Sequence, residues 1–170
     1  MIVKGLIDED FVNYYKPSMV IEFPYCSFKC DKEYGKPICQ NSALAQAPNI
    51  HIDYKNLIER YLNNPITEAI VFQGLEPLDS PMDIYNLVLA IRDIYNCHDD
   101  IVIYTGYTKE EISKKLVSPG IIQEDLLTTL KKYDNIIIKY GRFIPNDISH
   151  YDEILGVNLA SHNQYAERIN

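Results

Sequence analysis

No apolar run in this 170-residue chain approaches the ~20 residues of a membrane-spanning helix. Its opening stretch, MIVKGLIDED, meets acidic residues before a long apolar segment can form, which predicts a cytoplasmic chain with no secretory signal. Basic residues are scarce: 16 Lys and Arg against 24 Asp and Glu leave a net charge of −8. Neither a membrane nor a nucleic-acid backbone is therefore an expected partner, the latter because it is bound by clustered Lys and Arg; a nucleotide-like small molecule remains compatible with the charge. Internal repeats, low-complexity tracts and linkers are absent, so residues 1–170 read as a single domain. Cysteines number only four, and three of them fall together, which sets aside a secreted disulfide scaffold and points to a metal, cluster or redox site in a reducing compartment.

What is present suffices for one core, since 46% of the residues are hydrophobic. Four short runs are apolar almost without interruption: MVIEF (19–23), AIVF (69–72), IVIY (101–104) and NIIIK (135–139). Such runs suit strands buried on both faces of a parallel sheet. Between them lie helical stripes, one of Leu57, Ile58, Tyr61 and Leu62 and one of Ile84, Leu87, Val88, Ile91 and Tyr95. Ser80 before Pro81 predicts an N-cap with proline in the first turn, and Thr108 with Glu111 has the form of a capping box. A further helix is predicted from Gln123 to Lys132, after the break at Ser118 to Gly120, and then a partly irregular tail. The order is βαβαβα.

In parallel α/β folds chemistry collects at the carboxyl ends of the strands. Here the first strand runs into FPYCSFKCDKEYGKPICQNS (23–42), the second into QGLEP (73–77), the third into TGY (105–107) and the fourth into YGRF (140–143). The first of these loops carries Cys26, Cys30 and Cys39. A zinc ion usually asks for four ligands, and the sequence offers only Cys97, His51 or His98 nearby as a fourth. Three thiols suit an iron–sulfur cluster better, because thiolates hold such clusters and an iron without a protein ligand can take a substrate.

These motifs, taken in order, resemble the radical S-adenosylmethionine (SAM) enzymes, and most closely the single-cluster activating enzymes of anaerobic ribonucleotide reductase. That family carries C-x3-C-x2-C with an asparagine two places after the last cysteine, a GGEP-like turn, a YTGY run, a DGRFI segment and an SSNQR-like tail. This chain answers with Cys26, Cys30, Cys39 and Asn41, with Gly74-Leu75-Glu76-Pro77, with Tyr104 to Tyr107, with YGRFI (140–144) and with ASHNQYAERI (160–169). It departs in two places: eight residues, DKEYGKPI, separate Cys30 from Cys39 where the family has two, and Gln73 replaces the first glycine of the turn. A flexible loop pays slowly for added length.

The resemblance implies an α/β fold of the radical SAM type, a partial (β/α) barrel with a mainly parallel sheet. It implies a [4Fe-4S] cluster on Cys26, Cys30 and Cys39, with SAM chelated by the fourth iron and cleaved reductively to a 5′-deoxyadenosyl radical. Gly74 and Glu76 would meet the methionyl amino group, Ile38 and Gln40 would line the adenine, and Thr105 would lie near the ribose. The implied partners are a glycyl radical enzyme as protein substrate and a flavodoxin- or ferredoxin-type electron donor. Other readings stand beside this one: a structural zinc or a non-catalytic iron–sulfur module for electron transfer or docking, or radical SAM chemistry on a peptide or small molecule. Taken singly, Gly74 to Pro77 and Thr105-Gly106 read as ordinary turns, Glu76 as a surface charge, and Cys97 as a small hydrophobe at the end of a helical stripe. The four histidines form no recognisable catalytic pattern.

Overall fold

A computed structural model describes residues 1–115 and 126–170. In chain order the strands are β1 (Ile2–Val3), β2 (Gly5–Asp10), β3 (Ser18–Phe23), β4 (Ile50–His51), β5 (Ala69–Gly74), β6 (Asp100–Tyr104), β7 (Ile136–Tyr140), β8 (His150–Asp152), β9 (Val157–Leu159) and β10 (Tyr165–Arg168). The helices are α1 (Lys29–Tyr34), α2 (Ser42–Gln46), α3 (Tyr54–Leu62), α4 (Pro81–Leu89, continued by a π turn over Ala90–Ile94), α5 (Lys109–Lys115) and α6 (Leu126–Leu130). The start expected at Gln123 and the break at Ser118 to Gly120 lie outside the described residues.

Six strands form the main sheet in the order β10-β7-β6-β5-β3-β2. Its four inner strands are parallel to one another and coincide with the four apolar runs, and antiparallel strands β2 and β10 close the two edges. Side chains alternate across each strand. Met19, Ile21, Ile70, Phe72, Ile101, Ile103, Ile136 and Ile138 pack on one face against α3, α4 and α6 through residues such as Leu57, Ile58, Leu87, Val88 and Leu130. Val20, Val71, Val102 and Ile137 point to the other face, under Tyr14, Leu155, Leu159 and Ala166. Both faces are covered, so no polar alternation marked these strands in the sequence.

Both helical stripes are found, with differences at their ends. Leu62 is exposed rather than buried, and Tyr95 packs only partly against the core. Thr108 and Glu111 close the expected capping box, the Thr108 N–H donating to Glu111 Oε2 at 3.0 Å and the Glu111 N–H to Thr108 Oγ1 at 3.3 Å. Ser80 does occupy the N-cap of α4 before Pro81, but its hydroxyl is buried without a hydrogen-bond partner. The chain reaches it from a 3₁₀ turn, Pro77–Asp79, and that turn is capped by Glu76 instead.

The tail is more regular than expected. Strands β8 and β9 form a hairpin, and β10 pairs with β7 from Tyr165 opposite Tyr140 to Arg168 opposite Ile137. At the other edge β2 (GLIDED) pairs with β3. Both edge strands are charged, a composition that guards an open sheet edge and hides the strand from a hydrophobic pattern. Among the described residues no helix is long and apolar enough to cross a membrane.

Candidate functional site

The parallel register brings the four strand ends to one side. Phe23 stands opposite Gly74, and Tyr104 opposite Lys139, so the loops after β3, β5, β6 and β7 leave the sheet beside one another. Between them opens a cavity of about 380 Å³. Its lining includes Cys26, Cys30 and Cys39, Ile38 and Gln40, Gly74 and Glu76, and Thr105, so the residues that the resemblance implies for cluster and cofactor meet there.

The cysteine loop is held from several directions. The Ser27 N–H donates to Asp79 Oδ2 at 2.7 Å, and the Glu76 N–H to the Tyr25 carbonyl at 2.9 Å. Asn41, two places after the last cysteine, donates through Nδ2 to the Gly74 carbonyl at 2.6 Å and so ties the loop to the GLEP turn. The eight residues between Cys30 and Cys39 do not hang loose. Half of them, Asp31 to Tyr34, belong to α1, which Gly35 caps with φ +68°, and Asp31 Oδ1 accepts from the Ile38 and Cys39 N–H groups, each at 2.9 Å. One carboxylate thus folds the longer spacing back and positions Cys39. A charge network fixes the outer side of α1: Arg142 reaches Glu111 at 2.8 Å and Glu33 at 3.4 Å, and Lys29 also pairs with Glu111. Burial would raise the Glu111 carboxyl, but hydrogen bonds from Arg142, Lys29 and the Thr108 N–H outweigh it and hold the group at about 2.

All four cysteines are free and partly exposed. Burial pushes the Cys26 thiol up to about 12, helped by the nearby Glu76 and Asp79 carboxylates, and also raises Cys30 beside Cys39. A metal must therefore displace protons from these thiols as it binds. Among the described residues no three His, Cys, Asp or Glu side chains converge to hold a single metal ion. An iron–sulfur cluster asks for a different arrangement, several thiolates around one cluster, and three half-buried thiols bordering one cavity fit that donor set. Cys97 belongs to the other end of the sheet, ahead of β6, where it packs against the core as its spacing predicted.

Glu76 is not a surface charge. It is 6% exposed, its Oε1 accepts from Thr105 Oγ1 at 2.8 Å and from the Leu78 N–H at 3.1 Å, and its Oε2 accepts from the Gly106 N–H at 2.8 Å. The carboxylate therefore welds the turn after β5 to the turn after β6. Burial pushes it up to about 7 despite these three donors. Thr105, 3% exposed, also accepts from the Tyr107 N–H at 3.0 Å, which leaves its hydroxyl one unused acceptor position. Gly74 has φ +100°, and a Cβ there would lie 2.7 Å from the Phe23 nitrogen and 2.8 Å from Glu22 Cα. Close packing of strand on strand demands this glycine, apart from any approach of a ligand.

Among the lining residues that the sequence did not single out are two cations, Lys139 and Arg142. Lys139 is 6% exposed and donates through Nζ to the Gly141 carbonyl at 2.9 Å. Its only signal in the sequence is a lysine inside an otherwise apolar strand. The NQ segment of the tail supports this wall, since Gln164 accepts from the Ala160 and Ser161 N–H groups and donates to the Gly141 carbonyl.

A cavity at the carboxyl ends of parallel strands, bordered by three cysteines in one loop, defines a cofactor-binding α/β protein of the iron–sulfur class. The chain belongs to the 4Fe-4S single cluster domain family, whose sequence model matches residues 19–158. Over 89 residues it is 29% identical to a bromo and FHA domain-containing protein of Dictyostelium discoideum, a match covering 51% of this chain and 12% of that protein. No solved structure matches the chain.

Proposed function

We propose that the protein is a radical SAM activating enzyme that generates a glycyl radical on a partner such as anaerobic ribonucleotide reductase. The observation that carries this reading is the convergence of the cysteine loop, the GLEP turn, the TGY turn and the GRF segment on one cavity. On this reading Cys26, Cys30 and Cys39 hold a [4Fe-4S] cluster, and the sheet is part of a partial (β/α) barrel. When bound, the cluster supplies the electron and the open iron that reductive cleavage of SAM needs.

The chain's own residues do the holding. Asp31 and Asn41 set the loop, Glu76 locks the two central turns, and on this reading Ile38 and Gln40, which border the cavity, line the adenine. Thr105 keeps one acceptor position for a ribose hydroxyl. Exclusion of water falls to the walls, with the protein's role being to orient the reactive carbon and keep competitors out. The cavity remains open to one side, and its rim carries Val12, 73% exposed, next to Phe11, 64% exposed. An apolar rim beside an open site suits a protein substrate, with electrons delivered by a flavodoxin- or ferredoxin-type donor.

Anaerobic reconstitution tests the reading. We expect about four irons per chain, SAM cleavage on reduction, and a glycyl radical seen by electron paramagnetic resonance when the reductase large subunit is added. Cleavage without that radical would remove the partner and keep the chemistry; colourless protein holding one zinc would remove both.

A further inference from the structure

Toward the carboxyl ends of the parallel strands, the second face of the sheet turns from apolar to polar. Val20, Val71, Val102 and Ile137 fill that face, and two positions further along each strand stand Glu22, Gln73, Tyr104 and Lys139, all four lining the cavity. The register sets them side by side, with Glu22 opposite Gln73 and Tyr104 opposite Lys139. The two halves of the row differ. Tyr104 donates to the Asn13 carbonyl and Lys139 to the Gly141 carbonyl, so that half is tied to backbone. Among the described residues, the Glu22 carboxylate and the Gln73 amide have no hydrogen-bond or ion-pair partner.

Glu22 is given room rather than a partner. Across the antiparallel pair it faces Gly5 of the edge strand, where any Cβ would strike its carboxylate. Burial raises this carboxyl, and no neighbouring cation offsets the effect. Lys4 is spent on the Ala45 and Ala47 carbonyls. The cations that line the cavity are engaged as well, Lys29 and Arg142 with Glu111 and Lys139 with Gly141. A charge withdrawn from water is ordinarily paired, and no described side chain supplies the pair for Glu22.

We propose that Glu22, with Gln73 beside it, forms a subsite for an arginine side chain of the polypeptide on which the protein acts, the guanidinium donating to the Glu22 carboxylate and the Gln73 amide oxygen. The inference rests on the activating-enzyme reading for its partner, and names the feature of that partner's segment that the cavity selects. A planar fork of five donors can serve acceptors on two neighbouring strands about 4.8 Å apart, whereas a lysine offers a point charge. Gln73 takes the place of a glycine in the turn this chain resembles, and supplies an acceptor that glycine lacks. A polypeptide suits the surroundings, because the exposed apolar pair Phe11 and Val12 stands at the open side of the same cavity.

The test is anaerobic calorimetry on the reconstituted full chain in the presence of SAM. The probes are acetylated, amidated alanine peptides with a central glycine, carrying one arginine at each flanking position in turn, and their citrulline counterparts, which keep the shape and lose the charge. For at least one position the wild-type protein should bind the arginine peptide at least about tenfold more tightly, the scale of one charged hydrogen bond. In Glu22→Gln that preference should vanish while the affinity for SAM stays at the wild-type value. Equal binding of arginine and citrulline peptides at every position overturns the proposal and leaves the SAM reading standing, as does a preference that survives in Glu22→Gln. A loss of SAM affinity in Glu22→Gln as large as the loss for the arginine peptide assigns the carboxylate to the cofactor and also overturns it. Arginine preference that depends on Glu22 in a protein that binds no SAM upholds the subsite and defeats the SAM reading. Should the variant fail to fold, the wild-type protein answers by carbodiimide coupling of its carboxyl groups to glycinamide, read by peptide mass spectrometry. Glu22 should be protected by the arginine peptides and not by the citrulline peptides, and equal labelling overturns the proposal.

Discussion

Replacing Glu76 by glutamine isolates the cost of keeping a carboxylate in the cavity wall. Burial raises this group from 4.5 to about 7 in the folded protein. Because the folded value lies above the unfolded one, the stability it contributes is complete below about 4.5 and is lost as pH rises through about 7. Integrating over that window, the wild-type protein should lose about 2.5 kcal/mol between pH 5 and pH 8 through this one side chain. A glutamine does not titrate. It also cannot serve all three donors: whichever way the amide is turned, its NH₂ group faces either the Gly106 N–H or the Leu78 N–H, and one buried donor is left without an acceptor, at about 1 to 3 kcal/mol. Glu76→Gln is therefore expected to be the less stable protein at pH 5 and to close on the wild type by about 2 to 3 kcal/mol at pH 8. Urea unfolding of both proteins at the two pH values, under anaerobic reducing conditions, measures the difference directly. Parallel pH dependences in the two proteins would falsify the claim that a buried, titrating Glu76 joins the turns.

Four other outcomes follow from the same geometry. Asp31→Ala frees the Ile38 and Cys39 N–H groups and should cost about 1 kcal/mol at this half-buried site, with a larger loss in iron retained after gel filtration; retention equal to wild type would mean that Asp31 does not position Cys39. Gly74→Ala places a Cβ against the β3 backbone at φ +100°, so melting should fall by at least about 4 °C whether or not cofactor is present, and an unshifted melt would refute the packing role. Cys26→Ala, Cys30→Ala and Cys39→Ala should each abolish the visible absorbance of reconstituted protein, and Cys97→Ala should keep it; colour lost in Cys97→Ala would sink the ligand assignment. Glu111→Gln weakens the pairs to Arg142 and Lys29, and the effect on α1 should appear as faster amide exchange across Lys29–Tyr34, with unchanged exchange counting against the network.

The four parallel strands were legible because each is buried on both faces, and a strand in that position must be apolar at every residue whatever surrounds it. The capping box at Thr108 and Glu111 was equally legible, since its two hydrogen bonds close within four residues. The cysteine spacing and the strand-end turns pointed to the site because a parallel sheet brings all carboxyl ends to one side. Edge strands β2 and β10 were hidden by their charge. The helical packing of the DKEYGKPI segment depends on Asp31 meeting backbone seven and eight residues away, and on Arg142 arriving from beyond β7, contacts that no local pattern encodes. Glu76 and Lys139 show the limit most clearly. Taken alone, Glu76 read as a surface charge in a turn, and Lys139, at the end of an apolar run, drew no reading at all. Whether an isolated charge faces water or a cavity is decided by which face of the sheet is covered and by which strand lies next to it, and those relations exist only once the chain has folded.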